Sequence, residues 1–149
     1  MKRIAAWSLV GMALSFVPAG CVSNEPGSTS TAHTVIEYAS AEAIGDELVR
    51  VFEAEGFELE DRAPLSLVFS RPATQRDIVL FGQYGTGEVT MRTAITIKPQ
   101  GTYAHLVRAD VQAVFARGGE RDVGVIGSRP YQDMLDRVRA SLVEARRLE

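Results

Sequence analysis

Cysteine is almost missing from this chain of 149 residues: Cys21 is the only one. A single thiol cannot close an intramolecular disulfide, so the fold rests on its core. Lysine is scarce too, with Lys2 and Lys98 against fourteen arginines. The arginines alternate with acids and build no basic block, and the net charge is −3. Both facts argue against binding a nucleic-acid backbone. Trp7 is the only tryptophan and lies in an N-terminal apolar run, which leaves phenylalanine and tyrosine to supply the aromatic core. His33 and His105 are the only histidines. Neither has ligand-type neighbours at metal-binding spacing, so no metal set is expected.

Catalytic patterns are lacking as well. "GQYGTG" at Gly82–Gly87 is glycine-rich, but Glu88 and a strand pattern follow it, where a phosphate or dinucleotide loop needs a helix. Glu53, Glu55, Glu58, Glu60 and Asp61 crowd together without the spacing of a calcium loop. Ser128 in "GVIGSRP" lacks the glycine flanks of a nucleophile elbow, and His105 has no nucleophile placed beside it. The expectation is a protein that is not an enzyme, with no catalytic residue, metal or cofactor to assign.

What is present begins with an address. Lys2 and Arg3 precede an apolar run, Ile4–Val17, and the small residues Ala19 and Gly20 stand before Cys21. This is the three-part layout of a secretory signal, and the run falls short of the ~20 residues a membrane-spanning helix needs. Removing residues 1–20 leaves fourteen cations against nineteen acids, a net charge of −5. "PAGC" at Pro18–Cys21 resembles the lipobox of bacterial lipoproteins, with Pro18 standing where an aliphatic residue is usual. The resemblance implies cleavage before Cys21, diacylglycerol on its thiol and acylation of the new N-terminus, which together make a stable anchor. Ordinary cleavage before Gly20 is the alternative and would leave Cys21 a free thiol. Val22 stands at the second mature position, where enteric lipoproteins kept at the inner membrane carry aspartate. By resemblance, the expected place is the periplasmic face of the outer membrane.

Residues 21–33 are rich in Ser, Thr, Asn, Gly and Pro and read as a flexible tether, with His33 a solvated part of it. Residues 34–149 read as one α+β domain. Thr34–Ser40 is a predicted strand with Ile36 and Tyr38 inward, and Ser40 caps a helix whose stripe is Ile44, Leu48, Val51 and Phe52. Gly56 is expected as its left-handed terminator, with Phe57 reaching back to Phe52. A hairpin follows, with Phe57 and Leu59 inward on one arm and Leu65, Leu67 and Phe69 on the other. Thr74 is expected to cap a short helix ended by Gly82, although Ile78–Phe81 also fits a strand. Two long alternating strands, Glu88–Lys98 and Thr102–Ala116, flank a turn at Pro99–Thr102. The second turns Tyr103, His105, Val107, Ala109, Val111, Ala113 and Phe115 to one side. Arg117–Asp122 reads as a loop. A long helix from near Ser128, with Pro130 in its first turn, carries the stripe Tyr131, Met134, Leu135, Val138, Leu142 and Ala145. The expected architecture is an antiparallel sheet with a helix after the first strand and a long C-terminal helix on one face.

The patterns "SAEAIGDELVRVFEAEGFELED", "LVFSRPA", "VTMRTAITI" and "MLDRVRASL" resemble, in order and spacing, a helix-grip domain. They are similar to those of a lipoprotein component of the bacterial outer-membrane β-barrel assembly machinery, and of many uncharacterised proteobacterial lipoproteins. The resemblance carries no catalytic residues. It implies a membrane-anchored interaction or assembly module of the envelope, with an envelope protein as partner and no nucleic acid. The alternative is a periplasmic carrier holding a small apolar ligand between the C-terminal helix and the sheet. Tyr103, Phe115, Tyr131, Met134 and Val138 are its candidate wall residues, and they serve equally well as core.

Overall fold

The computed structural model of the protein describes residues 32–81, 88–124 and 127–148. The signal segment, Cys21, the tether up to residue 31 and the Gly82–Gly87 loop lie outside the described residues. The elements are β1 (Ala32–Glu37), α1 (Ala41–Ala54), β2 (Glu58–Ala63), β3 (Ser66–Pro72), α2 (Gln75–Phe81), β4 (Val89–Gln100), β5 (Ala104–Phe115), β6 (Glu120–Asp122) and α3 (Arg129–Arg147). The sheet is antiparallel with strand order β1-β5-β4-β3-β2, and the short β6 pairs with β5 beyond the end of β1. The class is the expected α+β, with α1 and α3 against one face of the sheet.

Local chemistry sets the boundaries of α1. The Ser40 hydroxyl accepts from the Ala43 N–H at 3.1 Å, satisfying one free donor of the first turn. At the other end Gly56 adopts φ +79°. Its N–H donates to the Glu53 carbonyl and the Phe57 N–H to that of Phe52, the paired bonds of a Schellman motif. The expected contact follows, with the Phe52 and Phe57 rings 5.4 Å apart, edge to face. The ambiguous segment is helical. In α2 the Thr74 hydroxyl accepts from the Asp77 N–H, and the Asp77 carboxylate accepts from the Thr74 N–H, the reciprocal pair of a capping box.

Alternation decides the long hairpin. Val89, Met91, Thr93, Ile95 and Ile97 of β4 and Val107, Ala109, Val111 and Ala113 of β5 are buried, in register from Val89↔Phe115 to Gln100↔Ala104. Above them sit Ile44, Leu48, Val51 and Phe52 of α1 and Tyr131, Met134, Leu135 and Val138 of α3. Phe52 stacks on Phe69 of β3 at 4.8 Å, and Phe57 meets Tyr131 at 6.1 Å, so an aromatic row ties α1, β3 and α3 together. Fully burying such a side chain contributes about 1.5–3 kcal/mol, which makes this row a principal tie between helices and sheet.

Several expectations are corrected. Strand β1 starts at Ala32, so Ala32 and His33 belong to the sheet and not to the tether. Tyr38 is 60% exposed because the chain turns there, with φ +59°. Tyr103 is 65% exposed because it sits in the turn before β5 and not in the strand. Pro99 and Gln100 extend β4, moving that turn to residues 101–103. Leu65 occupies the β2–β3 turn and is exposed. Ala145 faces solvent, since the buried part of the α3 stripe ends near Val138. Glu120–Asp122 is a strand, formed by pairing with Gln112–Val114 and not by any apolar pattern of its own.

Candidate functional site

The five candidate wall residues do not meet. Tyr131, Met134 and Val138 are buried on α3 as part of the core cluster. Phe115 ends β5 opposite Val89, while Tyr103 lies before its start, some twelve residues or ~40 Å of strand away. Tyr103 instead stacks on Tyr38 at 5.6 Å. His105 is half-buried, with Nδ1 shielded and without a hydrogen-bond partner among the described residues. Cys21 lies outside the described residues.

Three other places concentrate chemistry or open surface. The first is a polar cluster inside the apolar row. Arg71, at the end of β3, pairs with Asp77 of α2 at 3.0 Å, and both side chains are almost fully shielded. Its guanidinium also lies over the Phe57 ring, 4.8 Å from the centroid. Asp77 accepts in addition from the Thr74 N–H and hydroxyl, at 2.8 and 2.7 Å. Beside them the Arg71 Nε, Thr93 Oγ1 and Tyr131 hydroxyl are buried with no aligned partner among the described residues. Burial pushes the Tyr131 phenol up to about 12; Asp77 adds to the rise, while Arg71 and Thr93 oppose it. The phenol is held neutral and is buried among the described residues.

The second place is an open, mainly apolar cleft of about 590 Å³ between the N-terminal half of α1 and the tip of the β2–β3 hairpin. Ala41, Gly45, Pro64, Leu65 and Leu67 line it, with Glu42 and Arg62 among the polar lining residues. Arg62 is held to Asp46 at 2.6 Å, and a Cβ added to Gly45 would come within 3.4 Å of its guanidinium.

The third is a cleft of about 330 Å³ where β1 meets α3, lined by Val35, Glu37, Tyr38, Arg139, Val143 and Arg146. One end is closed by the Arg146 guanidinium, 4.8 Å above the Tyr38 ring. At the other end the Gln132 side chain pairs with the His33 backbone: its Oε1 accepts from His33 N at 3.2 Å and its Nε2 donates to His33 O at 3.0 Å. Sequence reasoning missed this cleft and the Gln132 contact, because the two partners lie 99 residues apart. The only sequence signal was the spacing of Gln132, Arg139, Val143 and Arg146, which places them on one side of a helix.

No helix among the described residues is long and apolar enough to cross a membrane. Among the described residues no three His, Cys, Asp or Glu side chains gather as metal ligands. No protein-family model matches the sequence, and no curated protein is significantly similar to it.

Proposed function

We propose that the chain is a lipid-anchored lipoprotein of the bacterial envelope that works as a non-enzymatic interaction or assembly module. Cys21 carries the acyl chains, and the folded domain is offered to a protein partner from the periplasmic face of the outer membrane. The observation that supports this reading best is where apolar surface is spent. The stripe of α3 is consumed by the core as far as Val138, while Leu65, Val35 and Val143 stay exposed in open clefts on the outside. Cys21→Ser is expected to release the full chain from membranes and to abolish acyl labelling; unchanged membrane retention refutes the anchor. Photocrosslinkers at Leu65 and Val143 of the membrane-bound chain are expected to give discrete protein adducts. Their absence at both positions refutes the module.

A carrier is the second reading. The cleft beside α1 favours it, since its volume lies in the ~300–1,000 Å³ range of small-molecule sites and its lining is mainly apolar. Native mass spectrometry of the delipidated chain distinguishes the two: a co-purifying ligand supports the carrier.

A further inference from the structure

We infer that the free edge of β1 and the adjoining flank of α3 take up an extended acidic peptide segment as an added strand. This rests on the reading of the protein as an interaction module and names its partner surface.

The edge is defined by hydrogen bonding. In an antiparallel ladder the N–H and C=O of one residue point the same way and those of the next point oppositely. Gln132 takes both groups of His33, so His33 points away from β5, and Val35 and Glu37 point the same way. The Tyr38 N–H donates to the Tyr103 carbonyl at 2.6 Å, which places even-numbered residues toward β5 and agrees. Val35 and Glu37 thus present two donors and two acceptors with no partner among the described residues, and both line the cleft against α3. A groove between an edge strand and a helix is a recurring way to bind an extended segment, with main-chain bonds giving affinity and flanking side chains giving choice.

The flank selects charge. Arg139 and Arg146 line the groove against one carboxylate, Glu37, in a chain whose net charge is −3. Arg139 pairs with Asp136 at 3.6 Å and is about half exposed, a pair worth little and readily exchanged. Seven helical residues separate the two arginines, a rise of ~10.5 Å. Side chains on one face of an added strand recur every ~7 Å. Two carboxylates at alternate positions therefore fall within reach of both guanidinium groups. The opposite edge of the sheet is built to refuse such a strand: β2 reads Glu58-Leu59-Glu60-Asp61-Arg62-Ala63, with a register shift between Leu59 and Asp61. β1 has no bulge, and its only acid is Glu37 at the end.

The test uses the full chain in detergent micelles and an acetylated, amidated heptapeptide, Thr-Val-Glu-Val-Glu-Val-Thr. Amide hydrogen exchange is expected to show Val35 and Glu37 exchanging freely in the unbound protein and protected with the peptide, while Thr34 and Ile36 stay protected throughout. The counterpart with lysine in place of both glutamates is expected to bind at least ~10-fold more weakly, a difference of about 1.4 kcal/mol. Val35→Pro removes one outward donor without touching the bonds to β5, and Arg139→Glu/Arg146→Glu reverses the flank. Each is expected to cost ~10-fold or more while thermal unfolding shows the fold intact. Absent protection at millimolar peptide, or equal binding of the lysine peptide, overturns the inference. So does protection of Val35 and Glu37 that appears only as the chain dimerises, which assigns the edge to a second copy. Arginine-dependent binding to phosphatidylglycerol vesicles without peptide binding assigns the groove to lipid headgroups and overturns it as well. None of these failures removes membrane anchoring through Cys21 or crosslinks at Leu65, so the broader reading is judged separately.

Discussion

Replacing Tyr131 by phenylalanine removes one oxygen from the middle of the core. The ring stays, with its contact to Phe57 and its place against the sheet. Truncating a hydrogen-bonded buried hydroxyl costs about 0.5–1.5 kcal/mol, whereas removing an unsatisfied one relieves a burial cost of similar size. The Tyr131 hydroxyl has no aligned partner among the described residues. Tyr131→Phe is therefore expected to leave stability at pH 7 unchanged or higher. The same oxygen predicts an alkaline effect. The folded phenol titrates at about 12 against an ordinary value of 10.0, so above pH 10 the unfolded chain ionises while the folded one keeps its proton. The unfolded state then binds fewer protons, and stability falls as pH rises through 10 toward 12. At pH 11 the loss from this group is about 1.4 kcal/mol, growing toward twice that. Urea unfolding of both proteins at pH 7 and pH 11 isolates the effect, because every other group is common to them. The gap is expected to move in favour of the phenylalanine variant by about 1.4 kcal/mol at pH 11. A variant that is more than ~1 kcal/mol weaker at pH 7, with a gap that does not move with pH, shows that the hydroxyl is well bonded and the reasoning wrong.

Gly56→Ala forces a Cβ into a left-handed conformation at φ +79° with nothing within 4 Å to clash, so the cost is backbone alone, about 1–2 kcal/mol by urea unfolding. A neutral result there means α1 can end in another way. Asp77→Asn leaves the Arg71 guanidinium shielded without its counter-charge and is expected to cost about 3 kcal/mol, near the lower figure for breaking a buried pair. A loss under ~1 kcal/mol shows the pair to be idle. Gln132→Ala uncovers the His33 backbone, with little change in stability but faster exchange of the His33 amide and more self-association in sedimentation. Unchanged exchange at His33 means the glutamine does not guard the edge.

What the sequence made legible is what short-range chemistry decides. Ser40, Gly56 and Phe57 mark the ends of α1 through bonds no longer than five residues in span, and each bond is found. The alternation of β4 and β5 survives because one face is buried along nearly its whole length. Periodicity failed where the chain leaves its element. Tyr38 and Tyr103 continue an inward pattern on paper, yet the turn at φ +59° carries Tyr38 outside, where the two rings stack. β6 has three charged residues and no apolar signal; only the unpaired edge of β5 beside it makes it a strand. Arg71 and Asp77 are six residues apart, but a strand end and a capping box lie between them, so no single element's period relates the two.

The clefts were illegible for a different reason. An edge strand is defined by the absence of a neighbour, and no residue within β1 records that absence. Ala-His-Thr-Val-Ile-Glu would serve equally well in a central strand, where every backbone group is paired. The β2 edge, by contrast, announces itself through charge and a register shift. A sheet that guards its β2 edge with charge and a register shift, and its β1 edge at His33 through Gln132, leaves the outward backbone groups of Val35 and Glu37 without a partner among the described residues. Charge or proline there would cost the core nothing, since Val35 and Glu37 face away from it. A valine at position 35 keeps this stretch β-prone beside an arginine-lined groove, the kind of edge to which an extended segment can add as a strand.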